Sequence, residues 1–478
     1  MERIRGPRRA TNRTGTNLWL SPIRLGIAAV IFHLAVTTAV DAIGRFALLP
    51  GTFDTNGIAK SFAPDGVKDR AAMVRLSELL RRGQIRGWIT AAYPFHFKLY
   101  SICFAVFGPL LGFTIIGVEP LNALCYLGSL VLVSNLGQET FNRRAGLLAA
   151  ASVGIWPSFL LHTTQLLRDP LFVTGMLALI LINLRLLSRS LSWRRALLHG
   201  VGGGLVAIFL WFTRDNMGEL MIAVAFLGAG MLIVRQLLER RFLTTNSFGL
   251  MLLIVIAVGV SRVLPRFRDP LVPPRTTVAA RLNENASPLG DAGTLETLKT
   301  QPPIPRWDIA ARVVRHRAEF IRFYPDAASS IDLNVQLTSR ADLIRYLPRA
   351  AVIGFFAPFP DMWFASGGHV GSVGRLLSGL ETLAMYVVEA LALVGLWRGR
   401  WRLSVWLLLS VALMGIVALG LVVVNVGALY RLRYFFLILM IILAAEGAAQ
   451  ALDWYRREPA MNVRRTAERV RYSRNHTQ

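Results

Sequence analysis

Residues 403–425 read LSVWLLLSVALMGIVALGLVVVN, 23 consecutive positions without a charge. A helix needs about 20 mostly apolar residues to cross the hydrocarbon of a bilayer, so this stretch reads as a membrane span. Arg398, Arg400 and Arg402 precede it, and Arg431 and Arg433 follow it. Outward from it, windows of the same kind recur at about 22–40, 118–137, 145–161, 170–187, 197–213, 217–234, 247–264, 376–397 and 433–451. That makes ten predicted spans. Two more windows, 94–117 and 344–364, are apolar enough to span but carry prolines and aromatics that suit a helix at the membrane surface.

Composition agrees with the windows. Of 478 residues, 54% are hydrophobic and 17% charged, against roughly 25% charged in soluble domains. An ordinary soluble enzyme is excluded. The net charge of +25, from 53 Lys and Arg against 28 Asp and Glu, would suggest nucleic acid as a partner in a soluble chain. In a membrane protein the basic residues collect in cytoplasmic loops instead, and no nucleic-acid partner is expected. Cys103 and Cys125 both lie inside apolar runs and read as buried thiols, with no disulfide framework or metal-ligand spacing.

The distribution of those charges sets the predicted topology. With ten spans and both ambiguous windows outside, the inner segments 1–24, 138–144, 188–196, 235–241, 398–402 and the tail after 452 hold 24 basic residues, and the short outer turns hold four. Both termini are then cytoplasmic, and the first span is an uncleaved signal anchor. The chain divides into a basic tail 1–24, a membrane module 25–264 with seven spans and a first outer loop 41–117, an outer segment 265–375, a three-span module 376–451, and a basic tail 452–478. The outer segment starts Pro-rich (Pro265, Pro270, Pro273, Pro274), is polar from Asn283 to Thr300, and has helical periodicity from Ile309 to Tyr324. Gly200 and Gly204, at GxxxG spacing, read as a close helix contact.

A charge at the bilayer centre costs at least ~2.5 kcal/mol, so ionisable groups at the outer ends of spans are the candidates for chemistry. In chain order these are Asp41, Asp54, Asp65, Asp69, His96, Arg168 with Asp169, Arg214 with Asp215, and Arg431 with Arg433. Carboxylates suit proton removal, and guanidinium forks match the oxygens of a phosphate. Each has a plainer role as well. Asp54, in Pro50-Gly-Thr-Phe-Asp-Thr-Asn-Gly57, is also a turn residue; Arg168–Asp169 and Arg214–Asp215 also suit local pairs; His96 between two phenylalanines also suits an interface; Arg433 also suits snorkelling.

The order of these features resembles the C-type (GT-C) membrane glycosyltransferases. The similarity is to the polyprenyl-phosphate-sugar-dependent group, such as dolichyl-phosphate-mannose protein mannosyltransferases and aminoarabinose transferases. It is carried by Phe53-Asp54 in a long first loop, by Ala92-Tyr-Pro-Phe-His-Phe-Lys-Leu-Tyr100 to Phe107-Gly-Pro109, and by Asn142-Arg-Arg-Ala-Gly146. Trp156-Pro157-Ser158, Leu167-Arg-Asp-Pro-Leu171, Phe212-Thr-Arg214 and Ala428-Leu-Tyr-Arg-Leu-Arg-Tyr-Phe435 continue it, and Ala357-Pro-Phe-Pro-Asp-Met-Trp363 resembles a surface segment of related bacterial proteins. The departure is in the first loop, where Thr55 and Ile58 stand in place of the family's second acid and tyrosine, which makes Asp65 a rival to Asp54.

The resemblance implies an all-α polytopic protein of a bacterial inner membrane that transfers a sugar from a polyprenyl-phosphate donor to a glycan, lipid or protein acceptor on the outer face. Asp54, assisted or replaced by Asp169, would be the base. Arg214 and Arg433 would hold the leaving phosphate, supported by Arg431 and Arg168, with His96 among the head-group contacts. Carboxylates of this kind accommodate Mg²⁺ or Mn²⁺, but no ligand spacing demands either. The competing readings are a polysaccharide polymerase or O-antigen-type ligase, marked by essential basic residues at Arg312, Arg315 and Arg317, and a lipid-linked glycan flippase or transporter, marked by charges deep within the spans such as Glu389.

Overall fold

The computed structural model describes residues 22–60, 62–214, 217–268, 308–323, 329–364 and 371–475. Among them all regular structure is helical, with only two isolated antiparallel bridges, Phe53 with Ala59 and Ser330 with Asn425. The helices are α1 (Pro22–Arg45), α2 (Pro64–Arg81), α3 (Ile85–Thr90), α4 (Phe95–Leu111), α5 (Glu119–Thr140, entered by a 3₁₀ turn Ile115–Val118), α6 (Arg143–Gly154), α7 (Pro157–Thr163), α8 (Asp169–Ser188) and α9 (Trp193–Thr213). They continue as α10 (Gly218–Glu239), α11 (Thr244–Arg268), α12 (Ile309–Phe323), α13 (Arg340–Phe356), α14 (Pro360–Trp363), α15 (Gly371–Gly399), α16 (Leu403–Val422) and α17 (Val426–Asn475). The tail 1–21, the Pro270–Pro274 stretch and the polar run 283–300 lie outside the described residues.

Nine helices among the described residues are long and apolar enough to cross a membrane, and a tenth span is broken. The protein is a polytopic, all-helical membrane protein. The break falls inside the predicted span 145–161, where α6 and α7 meet at 66°. Pro157 explains it: proline has no amide to donate into the preceding turn, and it forces the residue before it out of the helical region. Trp156 is accordingly extended, with φ −69° and ψ 118°.

Two spans form the centre. In α8 and α17, 72% of the most apolar stretch is buried inside the protein, against 22% in α1. Small residues let the other helices close on each other: a Cβ on Gly200 would come within 2.6 Å of the Gly249 carbonyl, and one on Gly204 within 2.4 Å of Ile256. The GxxxG pair therefore serves the contact of α9 with α11, as its spacing predicts. Cys103 and Cys125 are buried and free.

The window 344–364, read as lying at the surface, holds most of α13 and the short α14. A Cβ on Gly420 would meet the Ala350 carbonyl at 2.0 Å, and one on Gly354 would meet the Ile416 carbonyl at 2.4 Å, so α13 runs antiparallel to the last turns of α16. Its C-terminus ends beside the spans, where unpaired carbonyls are costly. Side chains satisfy them. Arg433 Nη1 donates to the Gly354 and Phe355 carbonyls at 3.0 and 3.1 Å, and the Tyr386 hydroxyl donates to Phe356 at 2.7 Å.

The described part of the outer segment is tied to the end of α16. Arg317 donates to the carbonyls of Leu421 and Asp332 at 3.0 and 2.8 Å, and Asp332 accepts from Arg349 and Tyr346. The Arg349 guanidinium and these hydrogen bonds hold the Asp332 carboxyl below the usual range.

Candidate functional site

Consecutive spans alternate in direction, so the 164–169 turn, the end of α9, the start of α17 and the start of α2 meet at one end of the bundle. We call this the loop end, and the opposite one the basic end. The 164–169 turn is fixed from three directions. Gln165 Oε1 accepts from the Ala59 amide at 2.8 Å, Asn122 Nδ2 donates to the Gln165 carbonyl at 3.2 Å, and the Tyr100 hydroxyl donates to the Leu167 carbonyl at 2.7 Å. Asp169 then opens α8, where the helix dipole favours a negative charge and Pro170 has no amide to leave unpaired.

Around Asp169 a chain of four charges assembles. Arg214 leaves the helical conformation at the end of α9, with φ −154°, and its Nη1 donates to Asp169 Oδ1 at 2.9 Å. Arg431, in the second turn of α17, places Nε 3.1 Å from Asp169 Oδ2. The other edge of the Arg431 fork donates to Asp65 Oδ2 at 3.1 and 3.2 Å. Side-chain exposure rises along the chain, from 3% for Asp169 and 8% for Arg214 to 16% for Arg431 and 58% for Asp65. Buried charges persist only when paired, and here the one carboxylate that is accessible to solvent closes the chain. Were Asp65 to swing away, Arg431 would present an open fork, poorly screened, to an incoming anion.

Asp69 sits one turn beyond Asp65 on α2. Burial raises its pKa from 3.8 to about 7, helped by the charge of Asp65 and opposed by Arg168 and Lys68. A carboxyl that titrates near neutrality suits proton transfer. Among the described residues no three His, Cys, Asp or Glu side chains converge as a metal site would need.

The remaining sequence candidates lie elsewhere. The Asp54 carboxylate accepts from the amides of Asn56 and Ile58 at 2.9 and 2.7 Å and from the Asn56 side chain at 3.1 Å, which closes the 54–58 loop as a turn aspartate does. Gly57, at φ +74°, completes that turn against α1. Asp41 pairs with Arg45 at 2.6 Å. His96 is buried, edge-on to Phe97 at 4.8 Å. Arg433, two residues beyond Arg431, faces away from the cluster to cap α13. Asp215 lies outside the described residues.

Sequence reading missed a second buried network. His33 Nδ1 lies 2.7 Å from Glu119 Oε1, its Nε2 lies 3.0 Å from Thr163 Oγ1, and Thr37 donates to Glu119 Oε2 at 2.9 Å. The signal was available, because His33 and Glu119 are ionisable residues within otherwise apolar windows. It joins α1, α5 and α7 behind the turn that carries Asp169.

Fold and cluster together define a multi-pass helical membrane protein with a buried arginine–carboxylate centre at one end. No protein-family model matches the sequence, and no curated protein does. Among solved structures, the chain is similar to the archaeal oligosaccharyltransferase AglB from Archaeoglobus fulgidus in complex with an inhibitory peptide and a dolichol-phosphate: 15% identity, TM-score 0.47, over 91% of this chain and 51% of that one. It is also similar to the Archaeoglobus fulgidus oligosaccharyltransferase in the apo form, at 15% identity and TM-score 0.45, over 91% of this chain and 52% of that one. The chain spans about half the length of these two proteins.

Proposed function

We propose that the protein is a membrane glycosyltransferase that moves a sugar from a polyprenyl-phosphate donor to an acceptor hydroxyl at the loop end. The observation that carries this reading is the chain Arg214–Asp169–Arg431–Asp65, with its two arginines held by a buried carboxylate. In the reaction the bond from the anomeric carbon to the phosphate oxygen breaks and the lipid phosphate leaves with the electron pair. The acceptor oxygen bonds to that carbon and gives up its proton. Arg431 and Arg214 stabilise the charge that grows on the leaving phosphate, where preorganised cations act most strongly.

The proton goes to the Asp65–Asp69 pair, with Asp69 as the base because its pKa is matched to neutral pH. Asp54 shapes the first loop in this reading, and Arg433 is a positioning residue for α13. The loop end faces outside and both termini face the cytoplasm of a bacterial inner membrane, as the arginine distribution favours. For the polymerase or ligase, Arg312, Arg315 and Arg317 would have to be available. Arg317 is buried on backbone carbonyls, and Arg312 pairs with Glu219, which favours the transferase.

The test is release of polyprenyl phosphate from a panel of polyprenyl-phosphate sugars by purified protein in detergent. Wild type is expected to release it from at least one donor. Arg431→Ala and Asp69→Asn, eluting as folded monodisperse protein, are expected not to. Undiminished release in both variants would sink the site while leaving the class standing. No release from any donor, with binding of a diphosphate-linked glycan, would establish the polymerase or ligase instead.

A further inference from the structure

The first loop carries a second cationic surface, remote from Asp169. Between Arg75 and Arg86 the chain reads RLSELLRRGQIR, four arginines against one glutamate. All four, Arg75, Arg81, Arg82 and Arg86, are exposed, and none forms an ion pair among the described residues. They surround the end of α2 and the short α3. A cleft of about 280 Å³ opens there between α2 and Tyr93, lined by Arg75, Leu76, Glu78, Leu79, Arg82 and Tyr93.

Next to these cations the surface is apolar. Ile85 and Ile89, one turn apart on α3, are both exposed. Trp88 Nε1 donates to Ser101 Oγ at 2.9 Å and Lys98 Nζ donates to the Ile89 carbonyl at 2.7 Å, so α3 is docked on α4. α4 itself leaves Ile102, Val106 and Leu110 exposed in one stripe at i, i+4 and i+8, and Phe95 at its start packs on Phe209 and Phe212 of span α9. The isoleucines of α3 therefore extend an apolar surface that begins at a span. Exposed isoleucines beside unpaired arginines and a half-buried tryptophan match the boundary between acyl chains and head groups.

We propose that the tip of α2 with α3 is an interfacial anchor that binds the anionic head groups of phospholipids in the leaflet at the loop end. A phosphodiester fits the cleft between Arg75 and Arg82, with the Tyr93 hydroxyl as a further donor, while Ile85 and Ile89 enter the acyl region. Arg81 and Arg86 add attraction to neighbouring head groups. The positive-inside bias is counted over short loops, so it does not account for these arginines in a loop as long as 41–117. The anchor is independent of the transfer chemistry and stands or falls apart from it.

Native mass spectrometry of the full-length protein, purified in detergent with equal phosphatidylglycerol and phosphatidylcholine, measures the preference directly. Wild type is expected to retain phosphatidylglycerol selectively. A surface cation is worth on the order of fivefold in anionic-lipid affinity, so R75Q/R81Q/R82Q/R86Q, all at exposed positions, is expected to lose the selectivity by roughly tenfold or more. An unchanged preference in that variant overturns the proposal. So does displacement of the retained lipid by inorganic phosphate, which would reduce the cleft to a plain anion site. A spin label on Ile85→Cys gives a second readout, because Cys103 and Cys125 are buried. In phosphatidylglycerol nanodiscs it is expected to be more accessible to oxygen than to a water-soluble nickel chelate, and the reverse order overturns the insertion of α3.

Discussion

The two ends of the bundle hold their arginines in opposite ways. At the basic end, Arg144 meets Asp453 at 2.7 Å with side chains 37% and 44% exposed, Arg189 meets Glu139 with its own side chain open to solvent, and Arg402 donates to the Thr140 carbonyl. These are pairs at a wet surface, placed there by the bias of charge along the chain. At the loop end, few arginines lie on the short turns, yet Arg214 and Arg431 are drawn inward onto one buried carboxylate. Charges that topology dictates stay in solvent. Charges held in spite of the cost of burial mark a place where something other than topology is being served.

The largest expected effect comes from removing the shared anion. Asp169→Ala leaves two guanidinium groups buried without their carboxylate and is expected to destabilise the protein by about 3–5 kcal/mol. Thermal unfolding in detergent, followed by intrinsic fluorescence, checks this. Removing Arg431 alone keeps the Arg214–Asp169 pair, so Arg431→Ala is expected to unfold the protein less but to lower sugar transfer by about 10²–10³. A variant that loses stability and transfer in equal proportion would make the cluster a structural staple.

Arg433 sharpens the contrast from within the loop end. It is buried like Arg214 but binds carbonyls rather than an acid, so Arg433→Ala is expected to cost about 1.5–3 kcal/mol through the uncapped end of α13. Tyr386→Phe, which frees only the Phe356 carbonyl, is expected to cost about 1 kcal/mol. If Arg433→Ala instead leaves stability unchanged and abolishes donor turnover, the arginine contacts the donor and the cap is incidental.

Much of this fold was legible in sequence because membrane spans are written in length and composition. All ten predicted windows coincide with described helices, and the Trp156–Pro157 break is the one place where a window becomes two. The loop-end pairing was half legible. Asp169, Arg214 and Arg431 could be singled out as ionisable groups at span ends, but which partner each takes depends on contacts between residues 45 to 366 positions apart. Arg431 and Arg433 show the limit most clearly. Two residues apart on a helix they point about 200° apart, so one reaches the cluster and the other reaches α13, and no pattern along the chain announces where α13 will end. Asp54 was ambiguous for a different reason, since a carboxylate beside Asn and Gly serves a turn and a reaction equally well in one dimension.

The Asp69 carboxyl gives a smaller effect with a definite sign. Its folded pKa of about 7 lies above the ordinary 3.8, so the folded chain holds the proton more tightly than the unfolded one. Stability is expected to decline as pH rises from 3.8 to about 7 and to be level above that. Asp69→Asn is expected to flatten this decline, and transfer by wild type is expected to climb to a plateau above about pH 7 as the base deprotonates. An Asp69→Asn protein that keeps both the wild-type slope and the wild-type rate profile would remove Asp69 from the site.

The smallest effect belongs to the basic end, and the comparison depends on its being small. Arg144→Ala breaks a pair whose two side chains both remain in contact with water, so the loss is expected to be below about 1 kcal/mol. Raising the salt concentration is expected to shrink even that, since exposed charges are screened over roughly 10 Å at 0.1 M. The buried Arg214–Asp169 pair, with side chains 8% and 3% exposed, is expected to respond little to the same salt. A shift for Arg144→Ala as large as that for Asp169→Ala, or an equal salt response of the two, would mean that burial does not separate the two ends and that the loop-end arginines owe their positions to topology as well.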